Sequence, residues 1–152
     1  MHGIEAETMR SGNYDINNDI KRLPLDELLK TSDVVSIHLR LSKESTGLMN
    51  KERLAKMKAD AILINTSRGA IVEESALIEA LTKGTLAGAG LDVFTQEPLA
   101  TDSPLRKLDN VILTPHIGWT VEEVFEEFAR IACTQLIEYL NGTLAQSELL
   151  SY

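Results

Sequence analysis

The sequence predicts an α/β fold built on a parallel sheet flanked by helices, and two observations carry that prediction. Short apolar runs alternate along the chain with segments of helical period. The runs are apolar at consecutive positions, the pattern of strands covered on both faces by helices, where a one-sided strand would alternate with polar residues. Helix start and stop signals punctuate the segments between the runs.

In chain order, residues 1–22 are rich in Gly, Asn and acid, and read as loop or an imperfect strand. Pro24 suits the first turn of a short helix, LPLDELLK, which precedes a strand, DVVSIHL, over 33–39. Asn50 can cap a helix, NKERLAKM, which feeds the strand AILINT over 61–66. The segment EESALIEALTKG places Leu77, Ile78 and Leu81 on one helix face, with Gly84 as its stop. Two further strands follow, LAGAGLDVF and NVILTP. The last element, TVEEVFEEFARIACTQLIEYLNG, is a long amphipathic helix. Thr120 suits its N-cap, Glu122 and Glu123 its first turn, and Asn141-Gly142 its end. The expected organisation is an N-terminal segment (1–22), a main domain (23–142) and a tail (143–152).

A chain of 152 residues with 43% hydrophobic and 25% charged residues suits one globular domain. No apolar run approaches the ~20 residues that span a bilayer, and MHGIEAETMRSGNYD lacks the basic-then-apolar order of a signal peptide. The single cysteine, Cys133, has no internal partner and reads as a buried, inert thiol on an apolar helix face. These features point to the cytoplasm, with no membrane partner. A net charge of −8, with no basic cluster to offset it, argues against nucleic acid. The triplets Asn65-Thr66-Ser67 and Asn141-Gly142-Thr143 read as chance matches to a glycosylation signal.

Three motifs fall at expected strand ends. In INTSRGAIVEE, Gly69 frees the backbone at the turn and Arg68 offers a planar fork of donors suited to a carboxylate. The plainer reading is a surface arginine paired with Glu73 or Glu74. In GAGLDVFTQEPL, Gly88 and Gly90 allow close approach to the strand, Asp92 ends it and Glu97 follows in the loop. This is no dinucleotide fingerprint, because Val93 stands at the third glycine position and the stretch is a strand body. Glu97 alone would read as a solvated carboxylate. In LTPHIGWT, Pro115 stiffens the approach to His116 and Gly118 removes bulk beside it. A lone histidine here is as readily structural as catalytic, and Trp119 reads as packing. Parallel strands end on one side, so Arg68, Glu97 and His116 can converge. An arginine to hold a carboxylate, a histidine to exchange a proton and a glutamate to orient it make a coherent acid–base site.

INTSRG, GAGLDVF with EPL, and TPHIG, in that order, resemble the D-isomer-specific 2-hydroxyacid dehydrogenases, a family that includes phosphoglycerate, glyoxylate/hydroxypyruvate and D-lactate dehydrogenases. SDVVSIHLRLSKESTGLMN is similar to the family's strand and loop ahead of the arginine, and the likeness covers about residues 23–142. It implies a partial Rossmann-like domain and NAD or NADP as cofactor. It also implies reversible reduction of small 2-oxo acids to D-2-hydroxy acids by hydride transfer. Arg68 would hold the substrate carboxylate, His116 would exchange the hydroxyl proton and Glu97 would orient His116. The same resemblance places His38 and Leu39 near the adenosine, Thr66 and Arg68 near the nicotinamide ribose, and Asp92, His116 and Gly118 around the carboxamide. Arg40 stands where the family commonly has proline.

The family's first strand, its glycine-rich loop and the substrate domain have no recognisable counterpart here, and Asp15 is a weak ribose candidate. The expectation is the C-terminal half of a dehydrogenase, from a truncated gene product or an incomplete coding sequence. Residues 33–39 would then be an apolar sheet edge, which favours a homodimer or other self-association. Loss of the pyrophosphate cradle would leave NAD affinity weak or undetectable. A non-enzymatic, corepressor-like binding protein on the same fold and an inactive remnant are the alternatives.

Overall fold

The computed structural model describes residues 5–8 and 21–143. Asp15 and the residues after Thr143 lie outside them. The chain divides into two compact units, Met1–His116 and Ile117–Tyr152.

The first unit contains β1 (Glu5–Thr8), β2 (Lys21–Pro24), α1 (Leu25–Thr31), β3 (Val34–Ile37), α2 (Lys51–Leu54), β4 (Ile62–Asn65), α3 (Glu74–Thr82), β5 (Gly88–Leu91) and β6 (Val111–Leu113). Strands β1 and β2 form an antiparallel pair. The other four form a parallel sheet in the order β3-β4-β5-β6. Sequence order and spatial order coincide, so each connection crosses over to the next strand along.

Local chemistry explains the elements. Pro24 sits one residue earlier than expected, as the N-cap of α1, with Asp26 and Glu27 in the first turn and Lys30 in the last, as the helix dipole favours. Asn50 caps α2 by accepting a hydrogen bond from the Arg53 N–H at 3.0 Å. Helix α3 ends before Gly84, whose φ of +67° is the left-handed geometry of a helix stop. Its Leu77 and Leu81 are buried, and Ile78 packs partly against the same core.

That core lies between α1–α3 and one face of the sheet. Leu29, Leu54, Leu63, Ile71, Leu77, Leu86 and Leu105 are essentially inaccessible, each stabilising the fold by roughly 1.5–3 kcal/mol. Within this unit the helices cover one face of the sheet. The second face carries Val34, Ile62 and Ile112, the last 74% exposed, and β3 alternates exposed and buried. The helices α1–α3 all contribute to one cluster, and no described element of this unit packs on the other side. Apolar composition marks a face fit for cover; it does not supply the cover.

The second unit is α4 (Glu122–Leu140), preceded by a turn whose Trp119 ring packs on that of Phe125 in the helix, with centroids 5.0 Å apart. Two expectations fail here. Val121, not Thr120, is the N-cap, because the Thr120 hydroxyl donates instead to the Ile117 carbonyl at 2.7 Å. Cys133 is exposed, as is the apolar stripe it belongs to, since no residue of α4 is buried. Gly142, at φ +67°, ends the helix as expected.

Candidate active site

The carboxyl ends of β4, β5 and β6 deliver the candidate residues along one sheet edge. Beyond β4, the buried Asn65 organises a tight turn. Its Oδ1 accepts from the Ser67 N–H at 3.1 Å and its Nδ2 donates to the Arg68 carbonyl at 3.0 Å. The Ser67 hydroxyl donates to the Ile37 carbonyl at 2.7 Å, tying this turn to the end of β3. Gly69 then lies backbone to backbone against Phe94 and Thr95, where a Cβ would come within 2.0 Å of the Phe94 carbonyl carbon. Arg68 is exposed, its Nη1 donating to the Ser67 carbonyl at 2.7 Å. It forms no ion pair with Glu73, Glu74 or any other described residue.

Beyond β5, Asp92 is buried and accepts a short hydrogen bond from the Thr114 hydroxyl, which links the ends of β5 and β6. Glu97 follows after a few residues and precedes a cis peptide to Pro98. Its Oε1 accepts from the Phe94 N–H at 2.9 Å, and its Oε2 lies 2.8 Å from His116 Nδ1. The His116 hydrogen bond holds the Glu97 carboxyl below its usual range, reinforced by the Phe94 N–H and by the positive charge of Arg68. A carboxylate has no proton to donate, so Nδ1 is the protonated ring nitrogen and Nε2 is left to exchange a proton. Nε2 has no hydrogen-bond partner among the described residues. His116 itself adopts φ +57°, a left-handed conformation that histidine tolerates better than bulkier residues.

A cleft of about 650 Å³ opens beside this pair, with Leu99, Arg106, Leu113 and Thr114 among its walls. Its size is that of a small-ligand pocket. Arg68 is not among its lining residues, but its charge reaches Glu97. The three groups therefore share an edge, with Glu97 and His116 in direct contact and Arg68 one strand away.

Of the candidate cofactor residues, Thr66 is exposed at the Arg68 turn, and Asp92 lies between the arginine and histidine strands. His38 is exposed just past β3, its Nε2 bonded to the Ser36 hydroxyl at 2.8 Å, and Leu39 packs partly against the core. Gly118 is exposed and belongs to the second unit. Across β3 to β6 the edge spans about 14 Å at ordinary strand spacing. Sequence reasoning missed Asn65, Ser67 and Thr114. An Asx turn in N-T-S was the available sign for the first two; an isolated threonine after a strand carries no such sign. Among the described residues no cluster of His, Cys, Asp or Glu is arranged to hold a metal, and no helix is long and apolar enough to cross a membrane.

A family model described as the D-isomer specific 2-hydroxyacid dehydrogenase NAD binding domain matches residues 4–118. The chain belongs to this family. The sheet is accordingly Rossmann-like, with solved 2-hydroxyacid dehydrogenases as its structural neighbours. A glyoxylate reductase from Thermofilum pendens is 52% identical over 120 residues, which is 79% of this chain and 35% of that protein. A D-isomer specific 2-hydroxyacid dehydrogenase from Xanthobacter autotrophicus, in complex with NADPH and MES, superposes with a TM-score of 0.60 at 49% identity, over 61% of this chain and 30% of that one. D-lactate dehydrogenase from Aquifex aeolicus, complexed with NAD and lactic acid, gives a TM-score of 0.74 at 37% identity, over 80% of this chain and 41% of that one. The chain thus spans well under half the length of the curated relatives it matches.

Proposed function

We propose that this chain carries the proton-transfer and cofactor-facing part of a D-2-hydroxyacid dehydrogenase, reducing small 2-oxo acids such as glyoxylate or hydroxypyruvate with NADH or NADPH. The observation that carries the reading is the Glu97–His116 contact of 2.8 Å at the edge of a cleft. The nicotinamide supplies the hydride when bound, and this chain's residues supply the rest. Glu97 fixes the imidazole with Nδ1 protonated, so the imidazolium gives its Nε2 proton to the substrate oxygen and takes it back in the reverse direction. Arg68 engages the substrate carboxylate once it leaves the Ser67 carbonyl, and its charge stabilises the developing alkoxide.

The donor set fits the nicotinamide half of the cofactor. In this reading Asp92, steadied by Thr114, would accept from the carboxamide alongside His116. Thr66 and Arg68 would hold the nicotinamide ribose, and His38 and Leu39 the adenosine end. The edge of β3, which pairs with no strand other than β4 among the described residues, and the apolar second face of the sheet within its unit support self-association of the chain. An exposed free thiol at Cys133 suits the reducing cytoplasm.

The test is oxidation of NADH and NADPH by the 152-residue protein with glyoxylate and hydroxypyruvate. Turnover should appear with at least one pair and fall by a factor of about 100 or more in His116→Ala, the scale of general acid–base catalysis. Turnover that His116→Ala leaves intact would overturn the assignment.

A further inference from the structure

Glu97 must hold still to orient His116, yet the segment that carries it is poorly tied. From Thr95 to Leu99 no backbone group bonds to another backbone group among the described residues. The tie comes from a side chain further along. Arg106, in the 3₁₀ turn Pro104–Lys107, donates from Nε to the Ala100 carbonyl at 2.9 Å and from Nη2 to the Leu99 carbonyl at 3.0 Å. The base of this fork is anchored. Leu105 is 1% exposed in the core, the Ser103 hydroxyl accepts from the Leu105 N–H at 3.3 Å, and the Arg106 N–H donates to the Ser103 carbonyl at 3.1 Å. Arg106 also shares the wall of the cleft with Glu97 and His116.

We propose that Arg106 is a positioning residue, its guanidinium fork clamping two consecutive carbonyls so that the Glu97 carboxylate is held against His116. This deepens the proposed function and rests on its Glu97–His116 pair. The planar fork matters more than the charge: a lysine keeps the cation but has no two parallel N–H groups to span adjacent carbonyls. Arg106 is also absent from the charges that perturb Glu97, which are His116 and Arg68. Loss of the fork therefore acts on Glu97 through loop position.

The experiment follows the Glu97 carboxyl by carbon NMR across a pH titration of the 152-residue protein, which needs no turnover. His116→Ala sets the scale, raising the Glu97 midpoint by removing its largest perturbation. Arg106→Lys should raise the midpoint by about half of that rise or more, with little change in thermal stability because Arg106 is exposed. Arg106→Gln is a second variant lacking the fork, for use if the lysine form fails to fold, and should raise the midpoint likewise. A midpoint moved by His116→Ala but not by either Arg106 variant overturns the clamp and leaves the proposed function standing. A midpoint unmoved in every variant overturns both.

Discussion

Replacing Gly69 by alanine tests whether the turn bearing Arg68 is set by backbone contact. A Cβ there would lie 2.0 Å from the Phe94 carbonyl carbon, 2.2 Å from its oxygen and 2.4 Å from the Thr95 nitrogen. Non-bonded carbons prefer about 3.5–4.0 Å, so the overlap exceeds about 1 Å with all three atoms. All belong to backbone, so no rotamer change relieves the clash. Overpacking costs about 1–3 kcal/mol where side chains can give way, and the upper end applies here, at least about 3 kcal/mol. Domains of this size are stable by only about 5–15 kcal/mol, so the loss should be plain in urea unfolding followed by circular dichroism. Gly84→Ala is the control. Its φ is +67° and no atom lies within 4 Å, so it bears only the left-handed penalty of about 1–2 kcal/mol. A Gly69→Ala protein as stable as Gly84→Ala would refute the steric reasoning. Because Phe94 also gives its N–H to Glu97, the same substitution should change the spacing between the arginine and the glutamate.

Two further outcomes follow from surface features. Lys51 first, then Lys83, lowers the Glu79 carboxyl from 4.5 to about 2, so its stabilising contribution is complete above pH 4.5 and is lost as pH falls towards 2. Glu79→Gln should therefore flatten that part of the thermal-midpoint curve, and identical wild-type and variant slopes would exclude the linkage. Self-association should appear in sedimentation velocity as larger species at higher concentration and be suppressed by Val34→Lys, which places a charge on the exposed edge strand. A wild-type protein monomeric at every concentration would remove that proposal.

Much of this architecture was legible because local chemistry and tertiary context agree. Asn50 caps where its side chain can reach the Arg53 N–H, Gly84 stops a helix that has run out of core, and the apolar runs at Ile62–Asn65 and Val111–Leu113 are strands. The convergence of Glu97 and His116 was legible from parallel topology alone, since both follow strands that end on one side. Legibility failed where two groups compete for one role. Thr120 has a capping side chain, but a nearer carbonyl claims it. Ile112 and Cys133 have the composition of buried residues, but composition does not say which surface will cover them. Arg106 was invisible because its partners are backbone carbonyls, which carry no residue identity in a sequence.

The sequential order of the four parallel strands bears on biosynthesis. Each strand of the parallel sheet after the first leaves the ribosome with a sheet neighbour already synthesised, so the candidate groups emerge in their spatial order: guanidinium first, then carboxylate, and imidazole last. A nascent chain that stops short of Val111 would lack the strand that leads to His116, and with it the group to which the proposed function assigns proton transfer.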